Sequence, residues 1–308
     1  MSAALVVDGV CKRYGSRVAL DRLSFEVPAG GITGLVGANG AGKTTCFGIV
    51  AGLLKPDTGR VDVLGRGPFQ AQRHAGLLGM LPQDAELAPH ARVVDLLVYF
   101  ARLQGMSRTL AAREAARVLE LLALGERARS RVRELSHGMR RRVAVAQALL
   151  GKPELVLLDE PTSGLDPHLV VLVRDVLRAE RARGCSLLVS SHVLSDLEAV
   201  CDHVVFIEAG RVIDSGSLAG VTGRTQRVYF TLDRELETAA LAERLPELRI
   251  RLDGTLLEIE RGPALELAAL NRRVLQALFE LDAGVLEVRL GHSLEQAYMQ
   301  QRERAGTP

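Results

Sequence analysis

The sequence predicts an α/β domain built on a parallel sheet, followed by a smaller α+β unit. Three observations carry this. Through the first two thirds of the chain, apolar runs of strand length alternate with stretches of helical periodicity. A glycine-rich run, Gly37 to Thr44, stands between a predicted strand and a predicted helix. The last third restarts in the order β-α-β-β-α-β, that of a ferredoxin-like unit.

In chain order, Leu5 to Val10 and Leu23 to Val27 read as short strands, and Gly31 to Val36 is an apolar run ending at the glycines. Lys43 to Leu54 fits a helix that Lys55-Pro56-Asp57 and Gly59 stop, and Arg60 to Leu64 returns as a strand. From Val93 the period becomes helical: Val93 to Gln104, Arg108 to Leu124 behind Ser107 as N-cap, and His137 to Leu150 before Gly151. This is a helical insertion, about residues 84–150, inside an α/β domain. Leu155 to Leu158 and Ser186 to Ser190 are buried strands on either side of a helix from about Pro167 to Arg183, the βαβ rhythm of a parallel sheet. Val204 to Glu208 and Arg211 to Asp214 form a closing hairpin, and Gly216, Gly220 and Gly223 mark a boundary. The first domain is therefore expected over residues 1–222 and the accessory domain over 225–308. In the latter, Gln226 to Leu232, Leu248 to Leu252, Leu256 to Glu260 and Gly284 to Leu290 are strands, and Glu235 to Leu245 and Ala264 to Leu281 are helices. Leu294 to Glu303 is a last helix capped by Ser293.

Composition narrows the function classes. The 308 residues are 47% hydrophobic and 25% charged, ample for a real core. Apolar runs such as Leu169 to Val173 fall far short of a membrane span, and residues 1–30 show no basic-then-apolar leader pattern, so neither a membrane-spanning nor a secreted chain is expected. Thirty-nine basic residues against 37 acidic ones leave a net charge of +2, too little to imply a polyanionic partner. Arginines alternate from Arg127 to Arg133 and run together from Arg140 to Arg142, but no aromatics interleave them, so a solvated face is expected rather than a nucleic-acid surface. Cys11, Cys46, Cys185 and Cys201 lack metal-ligand spacing and read as reduced, mostly buried thiols.

Gly37-Ala38-Asn39-Gly40-Ala41-Gly42-Lys43-Thr44 matches GxxxxGK[ST] in the strand-to-helix context that the motif requires. Its glycines let successive N–H groups and the helix N-terminus face phosphate oxygens; Lys43 meets the β/γ charge and the Thr44 hydroxyl can ligate magnesium. Only four lysines occur in the chain, which makes a lysine in this loop informative. Leu155 to Glu160 ends a buried strand in two carboxylates, costly unless each meets a cation or a reacting group. Asp159 can hold magnesium through water, and Glu160 can polarise a water for attack on a γ-phosphate.

On these and four further motifs in order, residues 4 to 222 resemble the nucleotide-binding subunit of ATP-binding cassette (ABC) transporters, a P-loop NTPase fold with a mixed sheet. The further motifs are Gln83 after Met80-Leu81-Pro82, Leu135-Ser136-His137-Gly138-Met139, Ser163-Gly164-Leu165-Asp166, and His192 after a strand. The resemblance implies that Tyr14 stacks on adenine, that Gly37 through Thr45 cradle the phosphates, and that Thr44, Gln83 and Asp159 serve Mg2+. It further implies that Gln83 touches the attacking water, that Glu160 and His192 act on the γ-phosphate with Lys43, and that Ser136, Gly138 and Asp166 serve across a dimer. ATP and Mg2+ are then the cofactors. The expected partners are a second copy of the chain and a separately encoded transmembrane permease, with no nucleic acid. The chain is expected in the cytoplasm, peripheral on the inner face of the membrane.

One departure stands out. The family's usual LSGGQ signature has His137 for its first glycine and Met139 for its glutamine here. Met at the last position is common among ABC-2 exporter cassettes, and His292-Ser293-Leu294-Glu295-Gln296-Ala297-Tyr298 is similar to the Ser-Leu-Glu-x-x-Phe ending of that subgroup. Two alternatives remain open at this point: a soluble ABC ATPase acting on ribosomes or nucleic acid, and a binding module that has lost turnover.

Overall fold

A computed structural model describes residues 3–223, 227–260 and 266–306. The chain forms two compact units, one of residues 3–216 with 300–306 and the other of residues 217–299. The sequence places the boundary at 222–225; the compact units part a few residues earlier, and the end of the last helix groups with the first unit.

The first unit opens with strands β1 (Ala3–Tyr14) and β2 (Arg17–Pro28), each well beyond its apolar centre, because antiparallel pairing carries the ladder into polar residues. β3 (Ile32–Val36) is buried throughout. Helix α1 (Lys43–Val50) stops four residues before the predicted end, where Gly52 turns left-handed. β4 (Thr58–Val63) joins β1 and β2 in a sheet of order β2-β1-β4. β5 (Leu78–Leu81) was not expected as a strand: it has four residues with a glycine inside. That glycine is needed, since a Cβ at Gly79 would lie 1.8 Å from the Ala148 carbonyl oxygen.

Helices α2 (Val93–Leu103), α3 (Arg108–Leu121) and α4 (His137–Ala148) make the insertion. Ser107 and Ser136 cap α3 and α4, their hydroxyls accepting from Leu110 N at 3.3 Å and Met139 N at 3.2 Å. β6 (Leu155–Asp159), α5 (Pro167–Ala182), β7 (Ser186–Ser190), α6 (Leu194–Val200), β8 (His203–Glu208) and β9 (Arg211–Ser217) complete the unit. The large sheet runs β5-β6-β7-β3-β8-β9, with β5, β6, β7, β3 and β8 parallel. Phe47 of α1 lies in the core between the two sheets, among Leu5, Leu23, Val27, Leu157 and Leu188. The parallel register of these five strands brings the C-terminal ends of β3, β5, β6 and β7 to one edge, where the loops carrying the motifs converge.

Arg141 and Arg142 correct the expectation of a solvated arginine face: both are buried, at 8% and 6% exposure. Periodicity read α4 as an ordinary surface helix, whereas the insertion and β6 enclose it on both sides. Cys46 and Cys185 are buried, which pushes their thiols up to about 12, far from any reactive range. Among the described residues, no helix is long and apolar enough to cross a membrane.

The second unit is α7 (Leu218–Val221), β10 (Arg227–Leu232), α8 (Thr238–Arg244), β11 (Arg249–Asp253), β12 (Leu256–Glu260), α9 (Leu267–Glu280), β13 (Val285–Leu290) and the first part of α10 (Leu294–Arg304). Its antiparallel sheet has the order β11-β12-β10-β13, the ferredoxin-like arrangement. Val228, Phe230, Leu257, Ile259, Leu270 and Val274 form its core. Gln226 and residues 264–265, expected at the starts of β10 and α9, lie outside the described residues. In α10, the Ser293 hydroxyl accepts from Gln296 N at 3.2 Å, as its position before the helix requires.

Candidate functional site

The glycine loop is a close fit to its surroundings. Gly42, at φ 110°, is in a region closed to L side chains, and a Cβ there would stand 2.6 Å from Leu20 and 2.7 Å from the Ala19 carbonyl oxygen. Such packing holds the loop's backbone at the start of α1, where helix N–H groups point outward. Lys43 turns its ammonium back onto the loop, donating to the Gly37 carbonyl at 2.6 Å and the Ala38 carbonyl at 3.2 Å. Burial lowers its pKa below the ordinary lysine range, while Glu160, Asp159 and Glu208 act in the opposite direction.

Behind Lys43 is an all-oxygen cluster. The Thr44 hydroxyl lies 3.0 Å from Asp159 Oδ2 and 3.2 Å from Gln83 Oε1. Asp159, 1% exposed at the end of β6, also accepts from the Ser190 hydroxyl, which its register partner on β7 supplies. Hydroxyl, carboxylate and amide oxygens are the donor chemistry that Mg2+ takes, so this set fits that ion.

Glu160 follows with φ 56°, a left-handed backbone in a non-glycine residue. Two side chains hold it there. Its N–H donates to the Ser190 hydroxyl at 3.1 Å, and its own carbonyl and that of Asp159 accept from the buried Arg141 guanidinium at 2.6 and 2.5 Å. Arg141 also donates to the Gln83 carbonyl at 2.9 Å, so one side chain of α4 ties the Gln83 loop to the end of β6. The Glu160 carboxylate meets His192 twice, at 3.1 Å from its backbone N–H and 2.5 Å from Nδ1.

These residues line two adjoining clefts that share Asn39, Gln83 and Glu160. One, of about 280 Å³, is lined by Tyr14, Arg17, Ala19, Asn39, Gly40, Gly42, Lys43, Thr44, Thr45, Gln83, Asp159 and Glu160. Tyr14, 48% exposed, presents an aromatic face at its rim, with Lys12 Nζ 5.9 Å from the ring centroid. The other, of about 460 Å³, adds Asp84, His137, Arg141, Ser163 and His192. Of the residues named from sequence, Gly37, Ala38 and Ala41 shape the loop without lining either cleft. Ser136, Gly138 and Asp166 line neither: Ser136 spends its hydroxyl capping α4, and Asp166 is exposed at the start of α5. The sequence missed Arg141, Ser190 and Arg17. A serine directly across the ladder from Asp159 was a usable signal for Ser190; nothing in the pattern singled out Arg141 among three adjacent arginines.

The ABC transporter family profile matches residues 20–163. The Nod factor export ATP-binding protein I of Burkholderia orbicola (strain AU 1054) is 41% identical over 207 residues, 67% of this chain and 68% of its own length. The chain belongs to the ABC transporter ATP-binding family. It is thus an ATPase cassette, with the nucleotide-binding fold expected of one. Among solved structures, the ATP-binding subunit of an ABC transporter aligns at TM-score 0.65 and 27% identity, covering 72% of this cassette chain and 92% of the other. The cbiO1 protein of Clostridium perfringens, described as part of the ABC transporter complex cbiONQ, aligns at TM-score 0.64 and 25% identity over 72% and 92%.

Proposed function

We propose that this cassette powers export through a separately encoded membrane permease, two copies enclosing two molecules of Mg-ATP. The single observation behind the site is the convergence of Lys43, Thr44, Gln83, Asp159 and Glu160, from separate segments of the chain, on one cleft beside the Tyr14 ring. Tyr14 stacks on the adenine, and the loop N–H groups with Lys43 hold the β- and γ-phosphates. Thr44, Gln83 and Asp159 would hold Mg2+, which would supply charge neutralisation at the phosphates. Glu160 accepts a hydrogen bond from the attacking water and aims it at the γ-phosphorus; Gln83 borders that water. His192, bonded to the Glu160 carboxylate in the adjoining cleft, acts on the γ-phosphate with it. Catalysis here is positioning and charge neutralisation rather than covalent chemistry.

Ser136 and Gly138, at the N-terminus of α4, and Asp166 stand apart from the clefts of their own chain, which suits service to the second copy's nucleotide. The name of the Burkholderia relative supports export, and the description of cbiO1 supports a permease partner. Through that permease the cassette sits on the cytoplasmic face of the membrane.

Glu160→Gln tests the reading. It should bind ATP within a few fold of the parent, lose turnover by about 100-fold or more, and run as an ATP-dependent dimer on size exclusion. Normal turnover would remove Glu160 from the mechanism. Purification of the tagged chain from detergent-solubilised membranes should bring down a multi-helix membrane protein; ribosomes or nucleic acid in its place would favour the soluble alternative.

A further inference from the structure

The sheet of the second unit has two edge strands among the described residues, β11 and β13, and β13 is the one that carries exposed aliphatic side chains. β13 pairs with β10 on one side, and among the described residues no strand pairs with its other side. This edge strand reads Leu286-Glu287-Val288-Arg289-Leu290, with Leu286, Val288 and Leu290 exposed at 71%, 43% and 38%. An exposed edge carrying a row of aliphatic side chains is a template for another strand, and sheets ordinarily blunt such edges with charge or proline. The ladder to β10 is regular from Glu287 onward and shifts register only before it, near Leu286.

The hydrogen-bond phase of that edge can be read directly. The Gly291 N–H donates to the Arg227 carbonyl at 2.9 Å, and Leu290 to Glu287 pair in register with Val228 to Thr231. Odd-numbered residues of β13 therefore turn their backbone groups toward β10, and Val288 and Leu290 turn theirs to the open side. Two such edges can pair antiparallel only in registers that match even residues with even ones. Centring the pair on Glu287 would set Glu287 against Glu287, and centring it on Arg289 would set Arg289 against Arg289. Centring it on Val288 instead places Glu287 of each strand opposite Arg289 of the other and Val288 opposite Val288, within the regular stretch that follows the register shift near Leu286. The strand is self-complementary in that register and self-repelling in its neighbours. Glu287 and Arg289 then occupy the non-hydrogen-bonded positions, where cross-strand side chains come closest. Within its own chain the Arg289 guanidinium donates to Gln296 at 2.9 Å and lies 5.4 Å from the centroid of the Tyr229 ring.

We infer that β13 is a homotypic docking edge, pairing antiparallel about Val288 with β13 of a second copy of this chain to join the two four-stranded sheets into one of eight. This association needs no nucleotide, so it is separate from the proposed ATP-enclosed dimer of the cassettes and does not rest on it.

Charge exchange in the full-length, nucleotide-free protein tests both the contact and its register. By sedimentation velocity the parent should show a concentration-dependent dimer. Glu287→Arg should weaken it at least tenfold by setting the introduced arginine against Arg289 of the other strand. Arg289→Glu should weaken it similarly, and the double exchange should restore it to within about threefold. For an association too weak to sediment, a cysteine at position 288 in a Cys11→Ser background reports instead. Val288→Cys should link two copies with a short thiol–thiol reagent, whereas Leu290→Cys should not, since those residues lie about 13 Å apart in this register. Absence of the Val288→Cys product, equal linking at both positions, or a double exchange as monomeric as the single ones would each overturn the inference. Glu160→Gln with ATP, run alongside, tells failure of the edge from failure of the cassette dimer.

Discussion

Glu160 carries a local constraint at the site itself: a left-handed non-glycine backbone at the point where the chain leaves β6. Such a conformation costs of order 1–3 kcal/mol and persists where neighbours over-determine it. Arg141 and Ser190 do so here, through the Asp159 and Glu160 carbonyls and the Glu160 N–H. Arg141→Met should therefore lower kcat by roughly 10- to 100-fold, the usual penalty of a misplaced reacting group, with ATP affinity nearly unchanged, since Arg141 touches no phosphate-loop residue. Arg141→Lys should recover only part, because one ammonium cannot bridge carbonyls on two loops as a guanidinium does. Equal losses of affinity and turnover would point to general unfolding of the loop. Lys43→Ala, by contrast, removes a charge-assisted contact and should abolish measurable nucleotide binding in a fluorescent-nucleotide titration.

Among the elements, α4 and β10 each set an expectation. At the start of α4, His137 lies against the loop before α5: a Cβ at Gly164 would fall 2.7 Å from its Nε2. The imidazole thus fills space beside that loop, and Ser136 still caps the helix through its hydroxyl. His137→Gly together with Met139→Gln should leave ATP hydrolysis in place or raise it; lost turnover in steady-state assays would mean that the variant loop is specifically tuned. In the second unit, Tyr229 on β10 is bonded at 2.7 Å to His292 Nε2. Burial, with Arg227 and Arg289 nearby, lowers the His292 pKa, with Glu258 opposing. The folded unit consequently holds fewer protons on this ring than the unfolded chain, and stability is lost as the pH falls through the unfolded histidine value of about 6.5. Melting of the second unit should drop between pH 7 and pH 5, and His292→Leu should flatten that dependence in thermal scans.

At the scale of the whole molecule, the end of the chain belongs to the cassette. Gln301 Nε2 donates to Asp214 at 2.8 Å, and Arg302 pairs with Glu208 at 3.5 Å. Glu208 and Arg302 are largely buried, so losing the pair should be felt, at about 1–3 kcal/mol. A truncation ending near Gly223 should still bind ATP through Tyr14 and Lys43 while melting several degrees lower. Restoring residues 300–308 cannot be done without the second unit between them, so Arg302→Ala in the full chain is the cleaner comparison. Nucleotide affinity that falls with the truncation in a still-folded protein would place part of the site in the tail.

Local chemistry announced the glycine loop, the strand ending in Asp159 and Glu160, the caps at Ser107, Ser136 and Ser293, and the alternation of β10 and β12, because each rests on neighbours within a few residues. The family could be read for the same reason: its motifs are short, ordered and each placed on a predicted element. Tertiary structure alone decided the rest. β5 is four residues around a glycine and becomes a strand only because β6 pairs with it, and that pairing is what delivers Gln83 to Thr44. Arg141 looks like any helix-surface arginine until the insertion and β6 close over it and three carbonyls, distant in sequence, need a donor. The open side of β13 is likewise invisible in the sequence, where Leu-Glu-Val-Arg-Leu is an ordinary strand. Its meaning depends on the sheet order placing this strand at an edge, and that is set by long-range packing rather than by the residues themselves.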